Sequence, residues 1–282
     1  MTTLRQKMID AMLVRGFSVR TQRSYLDAVI HLSRYYQCSP ERLSNAQLQD
    51  YFRYLVIERQ LSPASCRLSF NGIRFLYLHI LAWPAVDLAI PLPKRKQRIP
   101  ELLSRDEVAR LLAAVENRKH RTLLATCYGC GLRVSELVAL RVGDIDGERR
   151  LLRVTQGKGG KDRQVLLSDS LLQRLRRYWR IFHPTTLLFY GRSPLTGLSI
   201  TTAQKVFQAA KQRAGIDKLG GIHSLRHAYA THQLAAGMPI HQLKEMLGHR
   251  DLHSTMRYLH WVPQYTEGRG ADLLHGLEVD DE

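Results

Sequence analysis

The chain has 282 residues, enough for about two domains of ordinary size, and its 44% hydrophobic content can bury a core. Against 25 acidic residues stand 42 lysines and arginines, a net charge of +17 that favours a polyanion such as nucleic acid over a merely basic surface. Four cysteines are too few for a secreted disulfide scaffold, charged residues interrupt Met1 to Val19, and no apolar run nears the ~18 residues of a membrane span, so a soluble cytoplasmic protein is expected.

Residues 1 to 83 read as four helices. Leu4, Met8 and Met12 mark the first stripe. Thr21 is expected to open the second, with Tyr25, Val29, Leu32 and Tyr36 on one face. Ser44 and Gln47 form a capping box before Leu48, Phe52 and Leu55. Ser62-Pro63 opens a fourth helix whose face is Cys66, Phe70, Ile73 and Tyr77, and Trp83-Pro84 stops it. This block carries eleven basic and five acidic residues. A DNA-gripping module and a generic bundle with a solvated charged face fit it equally.

Residues 84 to 103 read as a linker, because Pro84, Pro91, Pro93 and Pro100 do not fit helix interiors. Lys94, Arg95, Lys96 and Arg98 make it a basic strap suited to a phosphate backbone, or a solvated charged linker.

A second domain, 104 to 266, opens with another capping box, Ser104 and Glu107, and the stripe Val108, Leu111, Leu112, Val115. A helix from about Arg121 to Tyr128 follows. Its Cys127-Tyr-Gly-Cys130 matches a redox spacing but lies at the end of a helix rather than its start, so buried structural thiols are expected. Leu151 to Thr155 and Gln164 to Leu167 read as two strands around the turn Gly157-Lys158-Gly-Gly160. That turn lacks the Gly-Lys-Ser/Thr ending of a nucleotide-binding loop. Helices are expected at Leu171 to Phe182, Thr201 to Ala214, His223 to Ala236 and Ile240 to Leu247, giving a mainly α fold with one small antiparallel sheet. Residues 267 to 282 form an acidic tail.

The chemistry concentrates between His223 and Tyr258. His223 and Arg226 are spaced i, i+3 and share a helix face, able to offer an imidazole and a guanidinium fork to one oxyanion. Leu247-Gly-His249 and Tyr258 follow, nine residues separating His249 from Tyr258. Upstream stand Gly131-Leu-Arg133-Val-Ser-Glu136 and Lys158, with Lys161 a competitor for its role. Each piece has a plain alternative: Arg133 as a salt-bridge partner of Glu136, Lys158 as a hairpin charge. His223 with His227, and His249 with His253, have a metal-like i, i+4 spacing but no His-Glu-x-x-His pattern or evident carboxylate, so no metal is expected.

Together and in this order, Arg133, Lys158, His223, Arg226, His249 and Tyr258 resemble the tyrosine recombinase (phage integrase) family, over nearly the whole chain. The resemblance implies an N-terminal SAM-like helical core-binding domain and a catalytic domain closing on double-stranded DNA as a C-shaped clamp. It implies strand cleavage and rejoining through a 3′-phosphotyrosine and a Holliday junction, without ATP, metal or cofactor. Arg133 and Arg226 would clamp the phosphate, Tyr258 attack it, and Lys158 protonate the leaving 5′-oxygen. His223 would move the tyrosine proton or bind the phosphate, His249 would bind a non-bridging oxygen, and Glu136 would orient its neighbours. Tyr265 is the rival nucleophile. Family members assemble as tetramers, and here Ala271, Leu274 and Leu277 in the tail are candidates for docking on a neighbour. The chain starts directly with the core-binding helices and is short from Phe182 to Ile200, which suggests an Xer-like or transposon-associated integrase. The alternatives are a type IB topoisomerase-like relaxing enzyme and an inactive DNA-binding regulator.

Overall fold

Helix α1 (Thr3–Val14) buries Met8 and Met12, and α2 (Val19–Tyr36) buries Leu26, Ala28 and Leu32. A computed structural model describes residues 3–84, 101–155, 162–193 and 196–261 of the chain. The start of α2 differs from the sequence expectation. Ser18 is the N-cap, its Oγ accepting from Thr21 N–H at 3.2 Å, so Thr21 sits inside the first turn. Helices α3 (Asn45–Ile57) and α4 (Pro63–His79) begin where the Ser44 capping box and the Ser62-Pro63 pair place them. Leu48, Phe52, Leu55, Cys66, Ile73 and Tyr77 form one core with the α1 and α2 stripes. The buried Tyr77 hydroxyl donates to Pro40 O at 2.7 Å, which tethers α4 to the short 3-10 turn Pro40–Arg42. Each apolar side chain fully buried here contributes roughly 1.5–3 kcal/mol.

The chain divides into two compact units, Met1–Arg98 and Ile99–Glu282. In the second, α5 (Arg105–Ala113) starts at the Ser104–Glu107 capping box. Helix α6 (Arg118–Gly129) starts three residues earlier than the apolar stripe suggested, because Asn117 caps it, Oδ1 accepting from His120 N–H. Cys127 and Cys130 lie buried at its end as free thiols, and burial pushes both up to about 12. They are packing groups, as expected. Helix α7 (Val134–Ala139) follows a sharp turn.

The sheet has three antiparallel strands in the order β1 (Ile145–Asp146), β2 (Leu151–Val154), β3 (Arg163–Leu166). β1 is too short to show alternation, which is why the sequence showed only two. Leu152 pairs with Val165, and both turn into the core. Helices α8 (Asp169–Phe182), α9 (Ile200–Arg213), α10 (His223–Ala235) and α11 (Ile240–Leu247) complete the frame. Two short elements follow α11, α12 (His253–Met256) and a 3-10 turn at Leu259–Trp261. A main core runs through α5, α6, β2, β3, α8 and α9. A smaller one gathers Tyr229, Ala230, Leu234, Leu243 and Leu247 around Tyr258.

Candidate active site

The site is assembled in the second unit from the α6–α7 turn, the first residue of β3, the start of α10 and the segment after α11. The turn depends on Gly131, whose φ of 58° lies in the left-handed region. A Cβ there would stand 2.4 Å from the Tyr229 ring, so both backbone and packing demand glycine. Two residues on, Arg133 is the N-cap of α7. Its N–H donates to Glu136 Oε2 at 2.8 Å and its Nη1 to Oε1 at 2.7 Å. A carboxylate in the first turn of a helix also faces the positive end of the helix dipole.

Glu136 is the hub. Its side chain is 4% exposed, and it also receives both Nη1 and Nη2 of Arg163, each at 2.8 Å. Arg226 Nη1 stands 3.8 Å from Oε2. Burial alone would raise this carboxyl. The hydrogen bonds and charge of Arg163, with those of Arg133, outweigh it and hold Glu136 at about 2.

Arg226 is 1% exposed and belongs to α10. Its Nη1 donates to Gly131 O at 2.8 Å and its Nη2 to Leu247 O at 2.6 Å, which locks the guanidinium plane. Desolvation first, and Arg133 second, lower it to about 10, so it stays charged at neutral pH. Nη2 also lies 3.2 Å from His249 Nε2. A guanidinium only donates, so His249 Nε2 accepts and its proton is assigned to Nδ1, which faces Thr255 Oγ1 at 2.7 Å. Desolvation, then Arg226 and Arg133, push His249 down to about 4.

Tyr258 is 0% exposed. Its ring lies nearly parallel to His249, centroids 6.3 Å apart at 7°, and meets Trp261 edge-on at 5.4 Å. Its hydroxyl shares a 3.0 Å hydrogen bond with His227 Nδ1. Desolvation, then the charges of His223 and Arg257, push His227 down to about 3. His223 packs edge-on against His227, centroids 4.6 Å apart. His223 is exposed as a residue, yet protein crowds its ring enough that desolvation, with Arg226 and Arg133, lowers it to about 4.

The structure thus brings Arg133, Glu136, Arg226, His249 and Tyr258 into one continuous set of contacts, with His223 on its rim. Two members escaped the sequence reading. Arg163 carried no local signal of burial. His227 was weighed only as half of a metal-like pair, yet it, rather than His223, touches the tyrosine hydroxyl. Among the described residues there is no group of three or more His, Cys, Asp or Glu placed to hold a metal ion. Lys158 and Lys161, the strap residues Lys94, Arg95, Lys96 and Arg98, Tyr265 and the tail lie outside the described residues.

Residues 101–264 match the phage integrase family, and residues 4–85 match the phage integrase N-terminal SAM-like domain. A Sinorhizobium fredii protein designated an integrase/recombinase is 40% identical over 261 residues, 92% of this chain and 84% of that one. The tyrosine recombinase XerD of Shewanella oneidensis is 31% identical over 277 residues, covering 90% of this chain and 91% of its own. Among solved structures, a lambda integrase dimer bound to a core site superimposes with a TM-score of 0.75 at 20% identity, covering 91% of this chain and 94% of that chain. At that identity the likeness speaks to the fold.

Proposed function

The chain belongs to the phage integrase family, and from that premise we propose how its residues cut and rejoin DNA. It is a site-specific tyrosine recombinase. Arg133 and Arg226 hold the non-bridging oxygens of one phosphodiester, where two fixed cations favour the extra charge of the pentavalent transition state. The observation that carries this reading is the continuity of the set. One buried carboxylate orients Arg133 and faces Arg226, while His249 lies between Arg226 and the Tyr258 ring.

Tyr258 Oη attacks phosphorus, a 3′-phosphotyrosine forms, and the 5′-oxygen leaves with a proton from Lys158. Bond energy is kept in the phosphotyrosine, so rejoining requires no ATP. His227 accepts the hydroxyl proton as attack begins, and His223 binds the phosphate edge from the rim. His249 changes tautomer once an anion arrives: its proton moves from Nδ1 to Nε2, Nδ1 then accepts from the Thr255 hydroxyl, and Nε2–H donates to a phosphate oxygen. Because neither Arg226 nor Tyr258 meets solvent in this state, the segment bearing Tyr258 shifts before a phosphodiester engages.

The strap residues Lys94, Arg95, Lys96 and Arg98, together with Lys161, serve the DNA backbone. A tetramer forms through residues 267–282, whose Ala271, Leu274 and Leu277 dock on a neighbour. Deleting those residues spares binding to one site and impairs recombination. No described helix is long and apolar enough to cross a membrane, and the protein works in the cytoplasm, where its DNA is.

The test is a nicked duplex that traps the covalent adduct. Tyr258→Phe binds this DNA as the parent does and forms no adduct. An adduct persisting in that variant moves the nucleophile to Tyr265 and removes the reading.

A further inference from the structure

Arg163 is the first residue of β3. Its side chain is only 8% exposed, and Nε, Nη1 and Nη2 each donate inward. Nη1 and Nη2 take both oxygens of Glu136 at 2.8 Å, and Nε donates to Met246 O at 2.7 Å. Met246 lies in the last turn of α11, next to Leu247, whose carbonyl holds Arg226. The following residue, Gly248, has φ 62°, and a Cβ there would lie 3.0 Å from Arg163 Cδ. Gly248 O accepts from Arg133 Nη2 at 3.4 Å, and His249 comes next. One side chain therefore fastens the two places from which the anion-facing groups emerge: the Glu136 carboxylate and the end of α11.

We propose that Arg163 is a positioning residue for strand cleavage, which occupies Glu136 so that Arg133 and Arg226 stay turned toward the phosphate. This rests on the reading of Arg133 and Arg226 as the phosphate clamp. The physical reason is competition. A buried carboxylate must be paired, and with Arg163 absent its nearest unused cation is Arg226, whose Nη1 is already 3.8 Å away. Glu136 then draws Arg226, and the side of Arg133 it already holds, into tighter pairs. The clamp loses aim and part of its field at the scissile phosphate. The role also needs a fork. Lysine supplies the charge but not two parallel N–H groups together with a third donor toward Met246 O.

The experiment measures single-turnover adduct formation on a nicked duplex at saturating DNA, together with DNA affinity and thermal midpoint. The variants are Arg163→Met, Arg163→Lys, Glu136→Gln and the double variant Arg163→Met/Glu136→Gln. Arg163→Met slows cleavage about a hundredfold, the scale of a small misplacement at a reacting centre, while affinity changes little. Arg163→Lys, which retains the charge and tests the idea if the methionine variant folds poorly, remains slowed by about tenfold or more. The double variant removes the misdirecting carboxylate charge and is about tenfold or more faster than Arg163→Met alone. A folded Arg163→Met or Arg163→Lys at the parent rate overturns the proposal, as does a double variant no faster than Arg163→Met. Recovery of Arg163→Met on DNA with a sulfur leaving atom at the 5′ position also overturns it, because that assigns Arg163 to leaving-group protonation. Arg226→Lys and Tyr258→Phe are the controls. If Arg226→Lys cleaves normally, the clamp reading itself fails, and if Tyr258→Phe does, the nucleophile moves to Tyr265. If they are inactive and the Arg163 variants are normal, only this inference fails.

Discussion

The Tyr258 hydroxyl and His227 Nδ1 stand 3.0 Å apart, joining the proposed nucleophile to a histidine one position beyond Arg226, the proposed phosphate clamp. Desolvation and neighbouring positive charge hold that imidazole at about 3, so it is neutral at pH 7 and has a lone pair to offer. In the proposed reaction, an arriving phosphodiester adds negative charge beside it and raises its basicity as the tyrosine begins to lose its proton. His227→Ala is expected to slow single-turnover cleavage by about a hundredfold without weakening DNA binding. His227→Asn, whose side-chain amide can still reach the hydroxyl, should hold Tyr258 in place and recover only part of the rate. A parent rate in His227→Ala would return the proton to His223.

Glu136 makes a separate prediction about stability. It is buried among Arg133, Arg163 and Arg226, so removing it leaves positive charge uncompensated in the interior. Glu136→Ala should cost about 3–5 kcal/mol, which at roughly 2–4 °C per kcal/mol lowers the thermal midpoint by about 10 °C. Glu136→Gln retains an acceptor oxygen and should cost less. A melting curve for Glu136→Ala within about 2 °C of the parent would show that the three arginines do not depend on this carboxylate.

The elements with strong local grammar were readable in the chain. Ser44 with Gln47 and Ser104 with Glu107 announced two helix starts, and both boxes are made in the structure. The apolar stripes of α1 to α5 likewise found the core. Ser18 was missed because Thr21, three residues later, is an equally good capping type, and only the hydrogen bond between them shows which residue caps. The two-residue β1 has no period to detect. Arg133, Glu136 and Arg226 were legible because their spacing is local or belongs to a familiar order. Arg163 was not, since its burial is created by α11 and Glu136, residues distant in sequence. His227 was obscured for a similar reason: Tyr258 follows the four-residue α12, too short to show a periodicity, so which histidine it meets is a tertiary fact.

The same crowding predicts a dependence of stability on pH. His223, His227 and His249 have folded values of about 4, 3 and 4 against an unfolded 6.5. Their folded values are depressed, so below 6.5 the unfolded chain binds more protons than the folded one. Stability is then fully present above pH 6.5 and is lost as pH falls from 6.5 toward 4. Glu136, held near 2 against 4.5, adds a further loss below pH 4.5. Thermal melts of the DNA-free protein should show a midpoint that is level from pH 7 to 8 and declines steadily below 6.5. A midpoint unchanged between pH 5 and 7 would mean that these imidazoles titrate normally.

Gly131 links the turn to Arg226, and its replacement should fail for two separable reasons. The φ of 58° penalises any side chain, at about 1 kcal/mol for alanine. The added Cβ would also stand 2.4 Å from the Tyr229 ring. That ring is buried in the small core around Tyr258, so it cannot step aside without disturbing the packing of Tyr258. Because Gly131 O accepts from Arg226 Nη1, a shifted backbone also moves Arg226. Gly131→Ala is therefore expected to lower stability by about 2–4 kcal/mol, an overpacking cost added to the backbone strain. It should slow cleavage by more than the stability loss explains. Gly143→Ala is the control that lacks both features, since Gly143 is not among the positive-φ glycines and a Cβ there meets nothing within 4 Å, and it should change neither. Equal melting points and equal adduct rates for the two alanine variants would show that the Gly131 turn does not position Arg226.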